Sequence, residues 1–131
     1  MTLSLLAYDA ARRIGALTNA GHPAPYRLSG GRLERLALPA VPIGLMHQRV
    51  FPSQEFSFAA GDRLVLFTDG IVEAADEGGD PFGYERLEAL LEREASKSSE
   101  DLLAAVLAAV AVHVGGAAPE DDRTLVLLAF E

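Results

Sequence analysis

The chain has 131 residues without a single cysteine, and nineteen acidic residues against eleven basic ones give a net charge of −8. These facts exclude a thiol nucleophile, a disulfide and a zinc–thiolate site. They also argue against a nucleic-acid partner, because binding to a phosphate backbone depends on Lys and Arg. The length predicts one domain with its own core, and the acidic surface favours cations.

The amino-terminal part predicts two β-hairpins. Strands over Leu3 to Tyr8 and Ile14 to Ala20 flank a polar turn. Strands over Pro25 to Ser29 and Arg32 to Leu38 flank Gly30-Gly31, and two adjacent glycines supply the positive φ angles that a tight turn needs. Both hairpins predict antiparallel sheet.

A third hairpin is predicted after a proline-containing loop over Pro39 to Pro52. Phe56 and Phe58 alternate with polar residues, and Gly61-Asp62 then turns the chain into an apolar strand that begins at Leu64. The strands on either side of this turn are expected to pair.

Two consecutive helices are predicted after an irregular acidic loop. The second helix begins at Ser98, whose side chain can cap it, and ends at Gly115-Gly116 and Pro119. Each helix carries an apolar stripe, formed by Tyr84, Leu87, Leu90 and Leu91 in the first and by Leu102, Leu103, Val106, Leu107 and Val110 in the second.

The chain closes with a nearly all-apolar strand over Arg123 to Phe130, which is predicted to be central in its sheet. We expect it to pair with the strand over Leu64 to Thr68. Runs of strands followed by a helix pair and a closing strand indicate an α+β domain, with antiparallel sheet and both helices packed on one face.

Neither a signal peptide nor a membrane span is predicted. The amino end lacks a basic residue before its short apolar stretch. The longest apolar run, Leu102 to Val112, is too short to cross a bilayer. We therefore expect no membrane partner and a cytoplasmic location.

The segment LVLFTDGIVEA, Leu64 to Ala74, ends an apolar strand on the carboxylate of Asp69. An ionised Asp that leaves water without a partner costs several kcal/mol, so this charge calls for compensation unless Asp-Gly is only a turn. A second acidic group, Glu120 to Asp122, precedes the closing strand. If the two strands are antiparallel neighbours, Asp69 and Asp121 or Asp122 converge at one sheet edge. A cation such as Mg²⁺ or Mn²⁺ would compensate them, and a solvated acidic turn is the alternative.

Four ordered motifs carry a family resemblance. The segments LTNAGHPAPYRL, LVLFTDGIVEA, DPFGYERLEALL and EDDRTLVLL resemble the carboxyl-terminal part of the SpoIIE/RsbU-type bacterial serine phosphatases. These enzymes belong to the metal-dependent protein phosphatase (PPM) superfamily. The resemblance runs from about Leu3 to Phe130, and four motifs in order are far more specific than a single Asp-Gly pair.

The resemblance implies an antiparallel β-sandwich flanked by helices, with a two-metal site at one end of the sheets. It implies hydrolysis of phosphoserine or phosphothreonine in a protein by a metal-activated water, with Mn²⁺ or Mg²⁺ as cofactor. Asp69 and Asp121 match metal ligands of the family. Supporting positions, in a surrounding or backbone role, are Gly70, Asp122, Thr124 and His22.

The family also implies partners. Its typical substrates are phosphorylated STAS-domain anti-anti-sigma factors, so a role in bacterial signalling and sigma-factor regulation is expected. We interpret His22 as a loop-shaping residue, with a ligand or general-acid role as the alternative. His47 and His113 resemble ordinary surface or helix positions. Asp76 to Asp80 lacks the spacing of an EF-hand and is interpreted as a flexible loop beside the site.

The sequence departs from the family at its amino end. It contains no Asp-x-x-Gly-His-Gly motif, whose Asp bridges both metals in the family. We therefore expect residues 1–131 to form a partial phosphatase domain that is inactive alone. A non-catalytic module that binds a phosphoprotein or self-associates, as in a homodimer, is the alternative. A haloacid-dehalogenase type of phosphatase is disfavoured, because Phe67 stands where that class has its nucleophilic Asp.

Overall fold

A computed structural model of the chain describes residues 1–38, 41–45, 50–116 and 121–131. His47, Pro119 and Glu120 therefore lie outside the described residues, as does part of the predicted loop over Pro39 to Pro52. The strands are β1 (Leu3–Asp9), β2 (Ile14–Ala20), β3 (Tyr26–Ser29), β4 (Arg32–Arg35), β5 (Ser53–Ser57), β6 (Arg63–Phe67) and β7 (Leu125–Ala129). The helices are α1 (Asp69–Val72), α2 (Gly83–Arg93) and α3 (Ser99–Val114).

The strands form two antiparallel sheets. One has three strands in the order β1-β2-β5, and the other has four in the order β4-β3-β6-β7. The first two predicted hairpins are confirmed, as β1 pairs with β2 and β3 pairs with β4. At the β3–β4 turn, Gly30 and Gly31 have φ angles of 55° and 79°, which a residue with a β-carbon rarely adopts. The predicted α+β class with antiparallel sheet is confirmed.

The third predicted hairpin is wrong, because β5 and β6 belong to different sheets. β5 pairs with β2, whereas β6 pairs with β3 and β7. Between them Phe58 is buried in the core between the sheets, and the Ala59 amide donates a hydrogen bond to the Asp62 carboxylate at 2.9 Å. Burial of Phe58 thus holds this segment as a corner that carries the chain from one sheet to the other.

Helices α2 and α3 pack on one face of the four-stranded sheet, as predicted. The buried stripe of α2 is Leu87, Leu90 and Leu91, and that of α3 is Leu102, Val106, Val110 and Val114. These side chains form one cluster with Tyr26, Leu28, Val65 and Phe67 of the sheet. The predicted cap is also present, since the Asp101 amide donates to the Ser98 hydroxyl at 3.1 Å.

A second, smaller core lies between the sheets, where Phe58 and Phe130 stack with ring centroids 4.1 Å apart. The closing strand β7 pairs with β6 as predicted, but it lies at the edge of its sheet and not at the centre. Val126 and Leu128 of β7 are 43% and 38% exposed. Their register partners Leu66 and Leu64 face the inter-sheet core, which does not extend far enough to cover them.

Helix α1 was not predicted from the sequence. It is only four residues long, and its amino-terminal residue is Asp69. Within the described ranges, no helix is both long enough and apolar enough to cross a bilayer.

Candidate functional site

The end of β6 and the start of β7 are joined through Thr68. Its hydroxyl donates to the Asp122 carbonyl oxygen at 3.0 Å and accepts from the Thr124 amide at 2.9 Å. The Thr68 amide donates to the Thr124 carbonyl oxygen at 3.0 Å. Asp69 follows Thr68 in the sequence, and Asp121 precedes Asp122. These three bonds therefore hold both aspartates at the same end of the strand pair.

Gly70 lets the two acidic segments come into contact. A β-carbon at this position would lie 2.5 Å from the Asp122 carbonyl oxygen and 3.6 Å from the Asp121 β-carbon. Only a hydrogen atom fits in the space where a β-carbon of residue 70 would be. The glycine is therefore required by packing and not by a positive φ angle. The backbone at Asp69 and Gly70 therefore lies directly against that of Asp121 and Asp122.

Each of the two carboxylates is oriented by its own loop. An oxygen of Asp69 accepts from the Gly70 amide at 3.1 Å, and an oxygen of Asp121 accepts from the Asp122 amide at 2.7 Å. Both side chains are exposed, so the expected burial of the Asp69 charge is not found. Two exposed carboxylates are the hard donors that Mg²⁺ and Mn²⁺ prefer, and the donor set fits such an ion.

A cavity of about 430 Å³ opens beside Asp69. Its polar and aromatic lining comes from five different elements or loops, and Asp121 does not belong to that lining. These polar and aromatic residues are Asn19, His22, Arg35, Asp69, Glu73 and Tyr84. A cavity of this size is large enough to hold a small anionic group together with the side chain that carries it.

His22 lies at the wall of this cavity on a loop that Asn19 holds in place. The Asn19 side chain is buried; its amide donates to the His22 carbonyl oxygen at 2.8 Å and its oxygen accepts from the His22 amide at 2.9 Å. The His22 ring is bonded to the Thr2 hydroxyl at 3.3 Å. The backbone bonds support the loop-shaping interpretation, and His22 also lines the cavity.

Arg35 and Tyr84 also line the cavity. The Arg35 guanidinium carbon lies 5.2 Å from the centre of the Tyr84 ring, within the range of a cation–π contact. Behind them the Tyr26 hydroxyl donates to Glu88 at 2.5 Å. Burial, followed by this bond, raises the pKa of Tyr26, and the charge of Arg35 opposes the rise. Tyr26 thus stays protonated at neutral pH and keeps Glu88 occupied.

A separate group of possible metal donors lies at the end of α3. Asp76, Asp80 and His113 each offer an atom within 4.8 Å of the others, and they are the only such group of three found among the described residues. The His113 ring is bonded to the Asp80 carbonyl oxygen at 2.8 Å, Asp80 pairs with Arg86 at 3.0 Å, and Asp76 accepts from the Gly78 and Asp80 amides. His113 lies in α3, as predicted, and its bond to Asp80 ties the loop to this helix, while Arg86 ties the loop to α2.

Comparison with known families supplies the context for this geometry. The family described as Stage II sporulation protein E (SpoIIE) matches residues 1–131, which is the whole chain. The chain belongs to the SpoIIE family. A search of curated proteins found no significant match.

Solved structures show the same fold in SpoIIE-type domains. The SiaA-PP2C domain of Pseudomonas aeruginosa superposes with a TM-score of 0.85 at 26% identity, covering 98% of this chain and 51% of that one. The manganese-presoaked phosphatase domain of SpoIIE from Bacillus subtilis gives 0.76 at 17%, covering 99% and 56%. The RsbU and RsbW domains of Rv1364c from Mycobacterium tuberculosis give 0.80 at 24%, covering 96% and 35%. The chain thus spans about half the length of the first two structures it matches.

Sequence motifs reach only part of this candidate site. The motifs drew attention to Asp69, Gly70, Asp121, Asp122 and Thr124, whose loops the fold brings together. Thr68 was missed, although it stands inside the quoted strand motif and bonds to both partner residues. Arg35, Glu73 and Tyr84 were missed as cavity residues, because nothing in the local sequence places the end of β4 beside the start of α2.

Proposed function

We propose that this chain is the metal-binding part of a PPM-type protein serine/threonine phosphatase. The contact of Gly70 with Asp122 carries the proposal, because it holds the Asp69 and Asp121 loops together at one end of the β6–β7 pair. Residues 1–131 are then a partial phosphatase domain that corresponds to about half of its solved relatives.

Asp69 and Asp121 would hold one Mn²⁺ or Mg²⁺ ion. Gly70 and Asp122 orient the two carboxylates through their amides, and Thr124 fixes the strand ends through Thr68. A divalent ion of this kind supplies Lewis-acid chemistry and lowers the pKa of a bound water. His22 lines the same cavity as Asp69 and is a proposed supporting group there.

The substrate would be a phosphoserine or phosphothreonine side chain of a regulatory protein. A STAS-type anti-anti-sigma factor is the proposed partner, in line with the RsbU and RsbW domains named for the M. tuberculosis relative. The net charge of −8 supports a protein partner over nucleic acid. We place the protein in the cytoplasm, in bacterial sigma-factor signalling.

Manganese binding tests the proposal directly. Titration of the chain with Mn²⁺, followed by electron paramagnetic resonance, should show one saturable site that Asp69→Asn and Asp121→Asn each weaken tenfold or more, about 1.4 kcal/mol. Glu92→Gln removes the same charge from an exposed position on α2 and should leave the affinity unchanged. Equal loss in all three variants, or no loss in any, would refute the metal site and favour a non-catalytic module.

A further inference from the structure

Arg35 is the cationic side chain of the cavity that contains Asp69. It is the last residue of β4, it is exposed, and its guanidinium lies over the Tyr84 ring at 5.2 Å. Among the described residues that line this cavity, it is the only Arg or Lys. This contact with the ring limits the positions of the guanidinium, whose five N–H donors can still bond to another group.

Several other cations in the described part of the chain already have partners, whereas Arg35 makes no ion pair there. Arg27, Arg86, Arg93 and Lys97 pair with carboxylates, and Arg63 donates to two carbonyl oxygens. Glu88 is bonded instead to the Tyr26 hydroxyl at 2.5 Å. Within the described ranges, no carboxylate pairs with Arg35, so its guanidinium can take an anionic partner.

A phosphoryl group fits this capacity better than the other anions a protein substrate offers. A guanidinium binds phosphate through two parallel N–H···O bonds, which give both strength and orientation. Asp69 and Glu73 share the cavity and would repel an anion that met no cation. A dianionic phosphoryl group thus needs a positive group at the cavity wall in addition to any ion held by Asp69.

We propose that Arg35, supported by Tyr84, binds the phosphoryl group of a phosphoserine or phosphothreonine side chain in this cavity. The inference takes its substrate class from the proposed function above. Arg35 is thus a substrate-binding residue that holds the phosphoryl group beside Asp69. Its alternative role is to join β4 to α2 through the Tyr84 contact, without contact to substrate.

Binding of a short phosphoserine peptide distinguishes the two roles. In ¹⁵N NMR titrations of the full chain, with and without Mg²⁺, we expect the Arg35 side-chain Nε–H signal to shift on addition of the peptide, and not with its unphosphorylated form. Arg35→Gln should weaken peptide binding tenfold or more. Arg35→Lys should weaken it less, because lysine keeps the positive charge but cannot donate the two parallel hydrogen bonds of a guanidinium. Arg32→Gln, an exposed arginine at the other end of β4, is the matched control and should bind like the wild type.

The outcomes separate this inference from the metal site. Unchanged Mn²⁺ binding by Arg35→Gln together with weakened peptide binding supports the phosphoryl role. Equal peptide affinity in Arg35→Gln and wild type, no saturable binding by the wild type, or a lowered unfolding midpoint with unchanged affinity would overturn it. If Mn²⁺ fails to bind at all, the proposed metal site fails, and the metal-free titration still decides whether Arg35 binds the phosphoryl group.

Discussion

Gly70 lies so close to Asp122 that a β-carbon on residue 70 would be 2.5 Å from the Asp122 carbonyl oxygen. The contact is with backbone, which cannot move aside as a flexible side chain can. Gly70→Ala should therefore push the Asp69 and Asp121 loops apart and lower the free energy of unfolding by about 1–3 kcal/mol. Chemical denaturation measures the loss, and the Mn²⁺ affinity should fall in the same variant.

Gly116→Ala is the control for this prediction. Among the described residues, its added β-carbon would come near a carboxylate oxygen of Glu77 at 3.3 Å, at the end of a flexible side chain. Stability should change by no more than about 0.5 kcal/mol. A Gly70→Ala protein as stable as the wild type, with unchanged Mn²⁺ affinity, would contradict the close contact.

The local features of this fold were predictable from sequence, and the choice of sheet was not. Gly30-Gly31 defines a hairpin through its φ angles, and Ser98 defines a helix start through its hydroxyl. The wrong pairing of β5 with β6 arose because a Gly-Asp turn has the same local signal in a hairpin and in a corner. Burial of Phe58 decides between them, and that burial depends on residues distant in sequence.

In the candidate site, too, features with a local sequence signal were predictable, and features that depend on packing between distant residues were not. Asp69 and Asp121 follow and precede apolar strands, so antiparallel pairing was enough to suggest that their loops meet. Arg35 gave no such signal, since its position in the cavity depends on the packing of β4 against α2. A cavity wall built from separate elements is a property of tertiary packing, which a motif does not encode.

The loop at Asp76 predicts a pH-dependent stability. Hydrogen bonds from the Asp80 and Gly78 amides, and the nearby His113, lower the pKa of Asp76 below its usual value. A lowered folded-state pKa means that the stabilisation is present above the unfolded-state pKa and is lost as the pH falls through the folded-state value. Asp76→Ala should therefore be less stable than wild type near neutral pH, and the difference should vanish in acid.

Urea denaturation across an acid-to-neutral pH series measures this difference. Asp76→Asn keeps a carbonyl acceptor for the backbone amides but loses the charge, so its loss near neutral pH should be smaller than that of Asp76→Ala. A wild-type advantage that is constant at every pH would show that the carboxylate charge of Asp76 contributes nothing.

Two edge strands on the same side of the sandwich predict self-association. Tyr8 of β1 lies against Phe130 with ring centroids 4.8 Å apart, so β1 and the segment that follows β7 are neighbours. Leu5 and Leu128 are 56% and 38% exposed on these edge strands. Because edge strands with apolar side chains pair readily with a second copy, we expect a concentration-dependent dimer of the 131-residue chain in sedimentation velocity.

Charge placed on that edge should oppose the dimer. Leu128→Glu should weaken dimerisation tenfold or more, about 1.4 kcal/mol. Leu107→Glu is the matched control, because Leu107 is similarly exposed, at 45%, but lies on α3. This variant should leave the dimer intact. A chain that stays monomeric at every concentration, or equal weakening by both variants, would refute association through these edges.

The 131-residue chain alone should be a poor phosphatase despite its family. Hydrolysis by two metal ions needs a group that bridges them. Among the described residues, the only group of three possible metal donors is Asp76, Asp80 and His113, so no third such side chain joins Asp69 and Asp121.

With Mn²⁺, hydrolysis of a phosphoserine peptide should stay near background, and it should rise when the chain is joined to an amino-terminal segment bearing Asp-x-x-Gly-His-Gly. Asp69→Asn should abolish the restored activity, whereas Glu92→Gln should preserve it. Strong Mn²⁺-dependent turnover by residues 1–131 alone, lost in Asp69→Asn, would show instead that the chain completes its own site.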